Sequence, residues 1–184
     1  MIIAGIDYSL NGPAICVFNT SYRFDFANCN FYFLTDIKKY ATKFLNNIHG
    51  ELFSPYDEEC ERYDSISDWV IKSCFGCEQV ALEGYAYNAT GRIFHIAENT
   101  GILKYKLYQA SIPVEIIEPS RVKKLGSGKG NADKKLMYES FIKDVGVPLQ
   151  ELITPNKKDV GNPVSDIIDA FYICKSLYLQ LKTS

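Results

Sequence analysis

The sequence has no apolar run long enough to span a membrane, so a bilayer is not its solvent. It has no excess of positive charge either. Its 20 Lys and Arg stand against 22 Asp and Glu, a formal net charge of −2, so any contact with nucleic acid must be a local patch. Internal repeats, low-complexity tracts and linker-like stretches are absent, which leaves a single domain over 1–184. No Gly-x-x-x-x-Gly-Lys-[Ser/Thr] run occurs, excluding a Walker-type phosphate loop. Histidine is scarce, and His49 and His95 read as surface or packing residues rather than ligands. The six cysteines follow no leader-like segment and point to reduced thiols in a cytoplasmic setting. Cys74-Phe-Gly-Cys77 has zinc-ligand spacing but no second Cys or His pair close by. Buried or incidental thiols are the expectation there, with a structural metal as the alternative.

What is present is the composition of a soluble globular domain with a full core, 47% hydrophobic and 23% charged. Ile2-Ile3-Ala4-Gly5-Ile6 is a continuous apolar run ending at Asp7, the pattern of a central strand buried on both faces. After the turn signal Asn11-Gly12-Pro13, Ala14 to Phe18 reads as a second strand and Phe24 to Leu34 as a third, in an antiparallel meander. Asp36 to Ile48 reads as a helix. Residues 51–68 carry seven acids against Arg62 alone, a solvated loop and helix face continuing through Trp69 towards Cys74. Together these predict an acidic helical elaboration around 36–72.

Gln79 to Leu82 reads as a short strand ending at Glu83. Gly91 to Ala110 has helical period, with Ala97 and Gly101 forming a flat strip where another helix could approach. Ile112 to Ile117 is a fifth strand, and a Gly-rich basic segment from Arg121 to Asn131 leads into a helix through about Asp144. The last helix opens at Asn162-Pro163 and carries Asp166 and Asp169 three apart, on one face of its first turns. The expected fold is α/β: a five-stranded mixed sheet, three antiparallel strands and then parallel ones, flanked by helices.

Ligands of α/β sheets collect beyond the carboxyl ends of strands, where Asp7 and Glu83 sit. With the last helix packed beside them, Asp7, Glu83, Asp166 and Asp169 converge. Four carboxylates sharing a site repel one another unless a cation intervenes. Hard oxygen donors without His or Cys favour Mg²⁺, with Mn²⁺ substituting, over zinc. A pair of such ions supports attack of water on a phosphodiester. Lys123, Lys124, Lys129, Lys134 and Lys135, with Arg121, form a candidate phosphate track in which Gly126, Gly128 and Gly130 would let backbone N–H groups approach. Arg92 is a further candidate phosphate contact.

Gly-Ile-Asp7-Tyr-Ser, Leu-Glu83-Gly-Tyr and Ser-Asp166-x-x-Asp169-Ala, in this order on these elements, resemble the RuvC-like Holliday junction resolvases of the ribonuclease H-like superfamily, in a version similar to those of bacteriophages. The resemblance spans essentially the whole chain. It implies that the four acids hold two metal ions per active site. It also implies a homodimer, formed through the helix 91–110, that nicks opposing strands of four-way and related branched DNA. An aromatic after the glutamate helps open the junction in that family, a role that Tyr85 and Tyr87 could fill by stacking on bases. A phage-encoded chain would act in the host cytoplasm. Two other classes compete: a non-catalytic branched-DNA-binding or assembly module of the same fold, and a nucleotide phosphohydrolase of the actin or sugar-kinase type. The second needs two such domains, and 184 residues hold one.

Overall fold

The computed structural model describes residues 1–84 and 93–183. Its sheet has seven strands rather than five: β1 (Ile2–Asp7), β2 (Ala14–Asn19), β3 (Cys29–Thr35), β4 (Lys43–Phe44), β5 (Ile48–Leu52), β6 (Gln79–Glu83) and β7 (Val114–Ile117). The spatial order is β4-β5-β3-β2-β1-β6-β7. β1, β2 and β3 form the expected antiparallel meander, and β6 and β7 add in parallel beyond β1. The helices are α1 (Glu59–Ser73), α2 (Ile93–Gln109), α3 (Pro119–Ser127), α4 (Lys134–Val145), α5 (Leu149–Ile153) and α6 (Val164–Thr183).

The two additional strands replace the helix expected over 36–48. Tyr40, Phe44 and Ile48 are four apart and imitate a helical stripe, yet the chain makes only one 3₁₀ turn at Lys38–Tyr40. Leu45 then takes a left-handed φ of 53°, and Asn46 and Asn47, a residue type common in turns, complete the turn. The Asn47 side chain donates to the carbonyls of Phe26 and Cys29 at 3.0 and 2.9 Å, which pins the turn beneath β3. β5 thereby satisfies the outer edge of β3, pairing in parallel from Phe31–Ile48 to Thr35–Leu52. Only the second half of the expected acidic helical elaboration is helical. Its helix, α1, opens with a capping box between Glu58 and Glu61.

Three layers result. Alternation along the strands sends Ala4, Ile6, Ile15, Val80 and Leu82 to one face, against Ile66 and Val70 of α1 and Leu103 and Leu107 of α2. Ile3, Cys16, Phe18, Phe31, Phe33 and Ala81 face the other way, onto α4 and α6. α6 is apolar on nearly its whole circumference because strands lie under it and α3, α4 and α5 around it. Phe171 alone packs its ring against Phe24, Phe26, Phe31, Phe141 and Tyr172. No helix among the described residues is long and apolar enough to cross a membrane.

Candidate active site

β1 and β6 are neighbours with Ile6 opposite Leu82, so Asp7 and Glu83 sit side by side at two strand ends. Parity sets their direction. Asp7 shares a face with Ile3 and Gly5, and Glu83 with Ala81, so both carboxylates project towards α6. Gly5 brings α6 down onto the sheet: a Cβ there would lie 2.1 Å from the backbone nitrogen of Cys174 and 2.6 Å from the carbonyl oxygen of Ala170. Asp166 and Asp169 stand just N-terminal to that crossing, over the end of β1.

Asp166 is buried, while Asp7, Glu83 and Asp169 are half-buried. The Asp7 carboxyl is pushed well above its usual range, by burial first and then by Asp166, Asp169 and Glu83. Burial, reinforced by Asp169 and opposed by Lys123, pushes Glu83 up to about 7. Asp166 is also pushed up to about 7 by burial, against the hydrogen bond from Ser165 and the charge of Lys134. Burial raises Asp169 to about 6, with Lys134 and Lys123 opposing. The four acids therefore feel one another, and the nearby ammonium groups of Lys123, Lys134 and Lys157 do not cancel the cost.

A cleft of about 400 Å³ opens between these elements, lined by Glu83, Asp169, Ser165, Pro119, Lys123 and Lys134 among others. Lys134 Nζ donates to Ser165 Oγ at 3.2 Å and to Asn162 Oδ1 at 3.4 Å, and Ser165 Oγ donates to Asp166 Oδ1 at 3.0 Å. The other oxygen, Asp166 Oδ2, is buried without a hydrogen-bond partner among the described residues. It faces the turn after β1, where a Cβ on Gly12 would lie 2.6 Å from it.

Two observations fit a hard divalent cation: an all-carboxylate donor set whose acids raise one another's pKa, and an orphaned buried oxygen on Asp166. The set is loose. Among the described residues no three His, Cys, Asp or Glu side chains are gathered tightly enough to hold one ion without adjustment.

The basic segment is brought to the site only in part. Lys123, from α3, and Lys134, the first residue of α4, line the acid cleft. Arg121, Lys124 and Lys129 are exposed, and Lys135 is exposed beside Glu139 at 4.0 Å. The stretch expected to be a Gly-rich loop is mostly the helix α3. Gly126 packs under Met137 and Tyr172, and Gly128 is the left-handed cap of α3, so these two glycines are accounted for without a phosphate. Tyr85, Tyr87 and Arg92 lie outside the described residues. His95 accepts or donates at 2.7 Å with the Tyr63 hydroxyl on the outer side of α1 and α2, and His49 stacks on Tyr32, so neither meets the acids. Cys74 and Cys77 are buried free thiols. Sequence reasoning passed over Gly12, Asn162, Ser165 and Lys157. Ser165 was the legible one, as a hydroxyl directly preceding the acid it holds.

No protein-family model and no curated protein matches the sequence. Solved structures do match. Thermus thermophilus RuvC superposes with a TM-score of 0.62 at 21% identity, over 100% of this chain and 98% of its own. The chain has the RuvC fold. T. thermophilus RuvC in complex with a Holliday junction substrate gives 0.64 at 22% identity, over 100% of this chain and 97% of that one. The fowlpox virus Holliday junction resolvase gives 0.52 at 15%, over 98% and 99%. The RuvC-like motifs read from the sequence thus sit on a RuvC-like scaffold, with seven strands in its sheet.

Proposed function

We propose that this chain is a Mg²⁺-dependent endodeoxyribonuclease that resolves Holliday junctions and related branched DNA. The observation that carries the reading is the meeting of four acids from β1, β6 and α6 beside a cleft walled by Lys123 and Lys134. Its support from relatives is that the neighbours of the same fold are Holliday junction resolvases, one of them seen with its junction substrate.

Asp7, Glu83, Asp166 and Asp169 would hold the metal, two ions in the full arrangement, with Mn²⁺ able to replace Mg²⁺. Bound there, divalent ions supply a more acidic water for attack on phosphorus and offset charge at the leaving 3′ oxygen. The protein's own part is orientation. Lys123 and Lys134 attract the scissile phosphate into the cleft and hold its oxygens. Ser165 fixes one oxygen of Asp166, and Lys134 fixes Ser165 in turn. Exposed Lys124, Lys129, Lys135 and Arg121 extend the backbone contacts away from the cleft. A bacteriophage origin, with action in the host cytoplasm, belongs to the same reading.

Cutting opposing strands requires two such sites, and α2 offers the dimer face. Phe94, Ala97, Gly101, Tyr105 and Tyr108 form one exposed stripe, with Phe94 76%, Tyr105 61% and Tyr108 78% exposed. A Cβ on Gly101 would meet nothing within 4 Å, so the small-residue strip is open to a second helix.

The test is cleavage of a labelled four-way junction, a flap and a plain duplex with Mg²⁺. The expected result is paired nicks in the branched substrates, lost in Asp7→Asn and Asp169→Asn while junction binding persists. The looseness of the acid set is the observation that favours the second reading, a non-catalytic branched-DNA-binding module. Binding without nicks by the unaltered chain would establish that reading instead.

A further inference from the structure

Lysines lead away from the acid cleft, past Lys134 and Lys135, to a surface that the chemistry above does not use. Lys134 is a wall both of that cleft and of a second one of about 620 Å³, which Lys135, Gln150 and Lys158 also line. Three acids share this second cleft. Asp133 is committed to capping α4, accepting from Leu136 N at 2.8 Å; Glu139 lies beside Lys135; Asp159 is exposed. Beyond it, the loop after α5 and the 3₁₀ turn before β4 meet at one ring. Lys157 Nζ stands 5.6 Å and Lys39 Nζ 4.9 Å from the centroid of Tyr40, which is only 5% exposed and therefore fixed.

Neither lysine pairs with a carboxylate among the described residues, and neither do their exposed sequence neighbours Lys38 and Lys158. Two ammonium groups gathered at one ring, neither held in an ion pair, are complementary to an anion carrying repeated charges, although the Lys157 charge also reaches Asp166. Lysine is a flexible point charge, suited to backbone phosphates rather than to a shaped small-molecule pocket. The path is continuous with the acid cleft through Lys134, and it is tied there mechanically. Lys157 Nζ donates to the Asn162 carbonyl at 2.9 Å, at the entry to the helix that carries Asp166.

From this juxtaposition we infer that Lys39 and Lys157, seated on Tyr40 and flanked by Lys38 and Lys158, bind the phosphate backbone of one duplex arm of the branched DNA. The scissile phosphate of that DNA occupies the acid cleft, so the inference rests on the nuclease reading. It assigns to the turn before β4 a contact that the motifs do not contain.

The experiment is junction binding by the full chain in EDTA across a series of salt concentrations. Lys39→Gln/Lys157→Gln is compared with the unaltered chain, with the single variant Lys39→Gln, which breaks no hydrogen bond, and with Lys72→Gln on α1, behind the opposite face of the sheet. Each phosphate contact contributes about 0.9 to the slope of log K against log salt, so the double variant should lose about 1.8 and Lys39→Gln about 0.9. Affinity of the double variant near 0.1 M salt should fall on the order of 10-fold or more. Lys72→Gln should match the unaltered chain. If the unaltered chain binds junctions and both Tyr40-side variants keep its slope and affinity, the arm contact is wrong and the nuclease reading stands. If the unaltered chain binds no branched DNA, both fall together.

Discussion

Gly12 shows how one missing side chain shapes the acid site. A Cβ there would lie 2.4 Å from Asn162 Nδ2 and 2.6 Å from Asp166 Oδ2, both ends of side chains that can swing away. Gly12→Ala should therefore fold normally while displacing the Asp166 carboxylate. Misplacing a catalytic group by about 1 Å can cost up to about 100-fold, so single-turnover junction cleavage should drop roughly 10- to 100-fold at unchanged melting temperature. Wild-type cleavage by Gly12→Ala would show that Asp166 does not need its observed position. Asp7, Glu83, Asp166 and Asp169 were legible as residues because each stands where an apolar run stops or a helix begins. Gly12 was legible only as a turn former; that it also clears space for Asp166 depends on a contact 154 positions along the chain.

At the scale of elements, the packing of α6 on β1 is the joint on which the site depends. Gly5→Ala would set a Cβ against helix backbone, which cannot swing aside, so α6 must lift. The expected cost is about 3 kcal/mol or more, read as a shifted denaturant midpoint, with loss of cleavage even in the folded fraction. α2 carries a different prediction. Gly101→Arg puts a long charged side chain on the open strip and should turn a dimer into a monomer by light scattering, at little cost to the fold, because nothing occupies that space in the monomer. A dimer that survives Gly101→Arg would move the interface elsewhere. Element by element, the sequence was readable where periodicity was enforced by burial on both sides, as in β1, β6 and α6. It misled over 36–48, where Tyr40, Phe44 and Ile48 repeat every four residues in a turn and two strands. The edge of β3 and the Asn47 side chain decided that segment, and neither is local to it.

Across the whole molecule, the raised carboxyl groups make stability depend on pH and on cations. The folded chain holds protons on Asp7, Glu83, Asp166 and Asp169 that the unfolded chain, with ordinary values of 3.8 and 4.5, has already released. The part from Glu83, Asp166 and Asp169 is full below about pH 4 and is lost as pH rises through about 6 to 7, where those folded groups ionise; Asp7, raised well above its ordinary value, adds in the same direction. In EDTA the melting temperature should therefore fall between about pH 5 and pH 8, and Asp7→Asn should flatten the fall. Millimolar Mg²⁺ at pH 8 should restore stability to the unaltered chain and much less to Asp7→Asn. A melting temperature that is flat across this range in both proteins would mean the four acids do not share one field.

By itself, the sequence determined the layered α/β class and the strands and helix that carry the four candidate acids, in the order in which they enter. Those features are written in local periodicity and in charges that interrupt it. Only the tertiary structure decided which lysines join the acids, that α3 occupies the expected Gly-rich loop, and that 36–52 completes the sheet. Each of these depends on which distant backbone edge or ring lies opposite, a relation set by packing and not by neighbours in the chain.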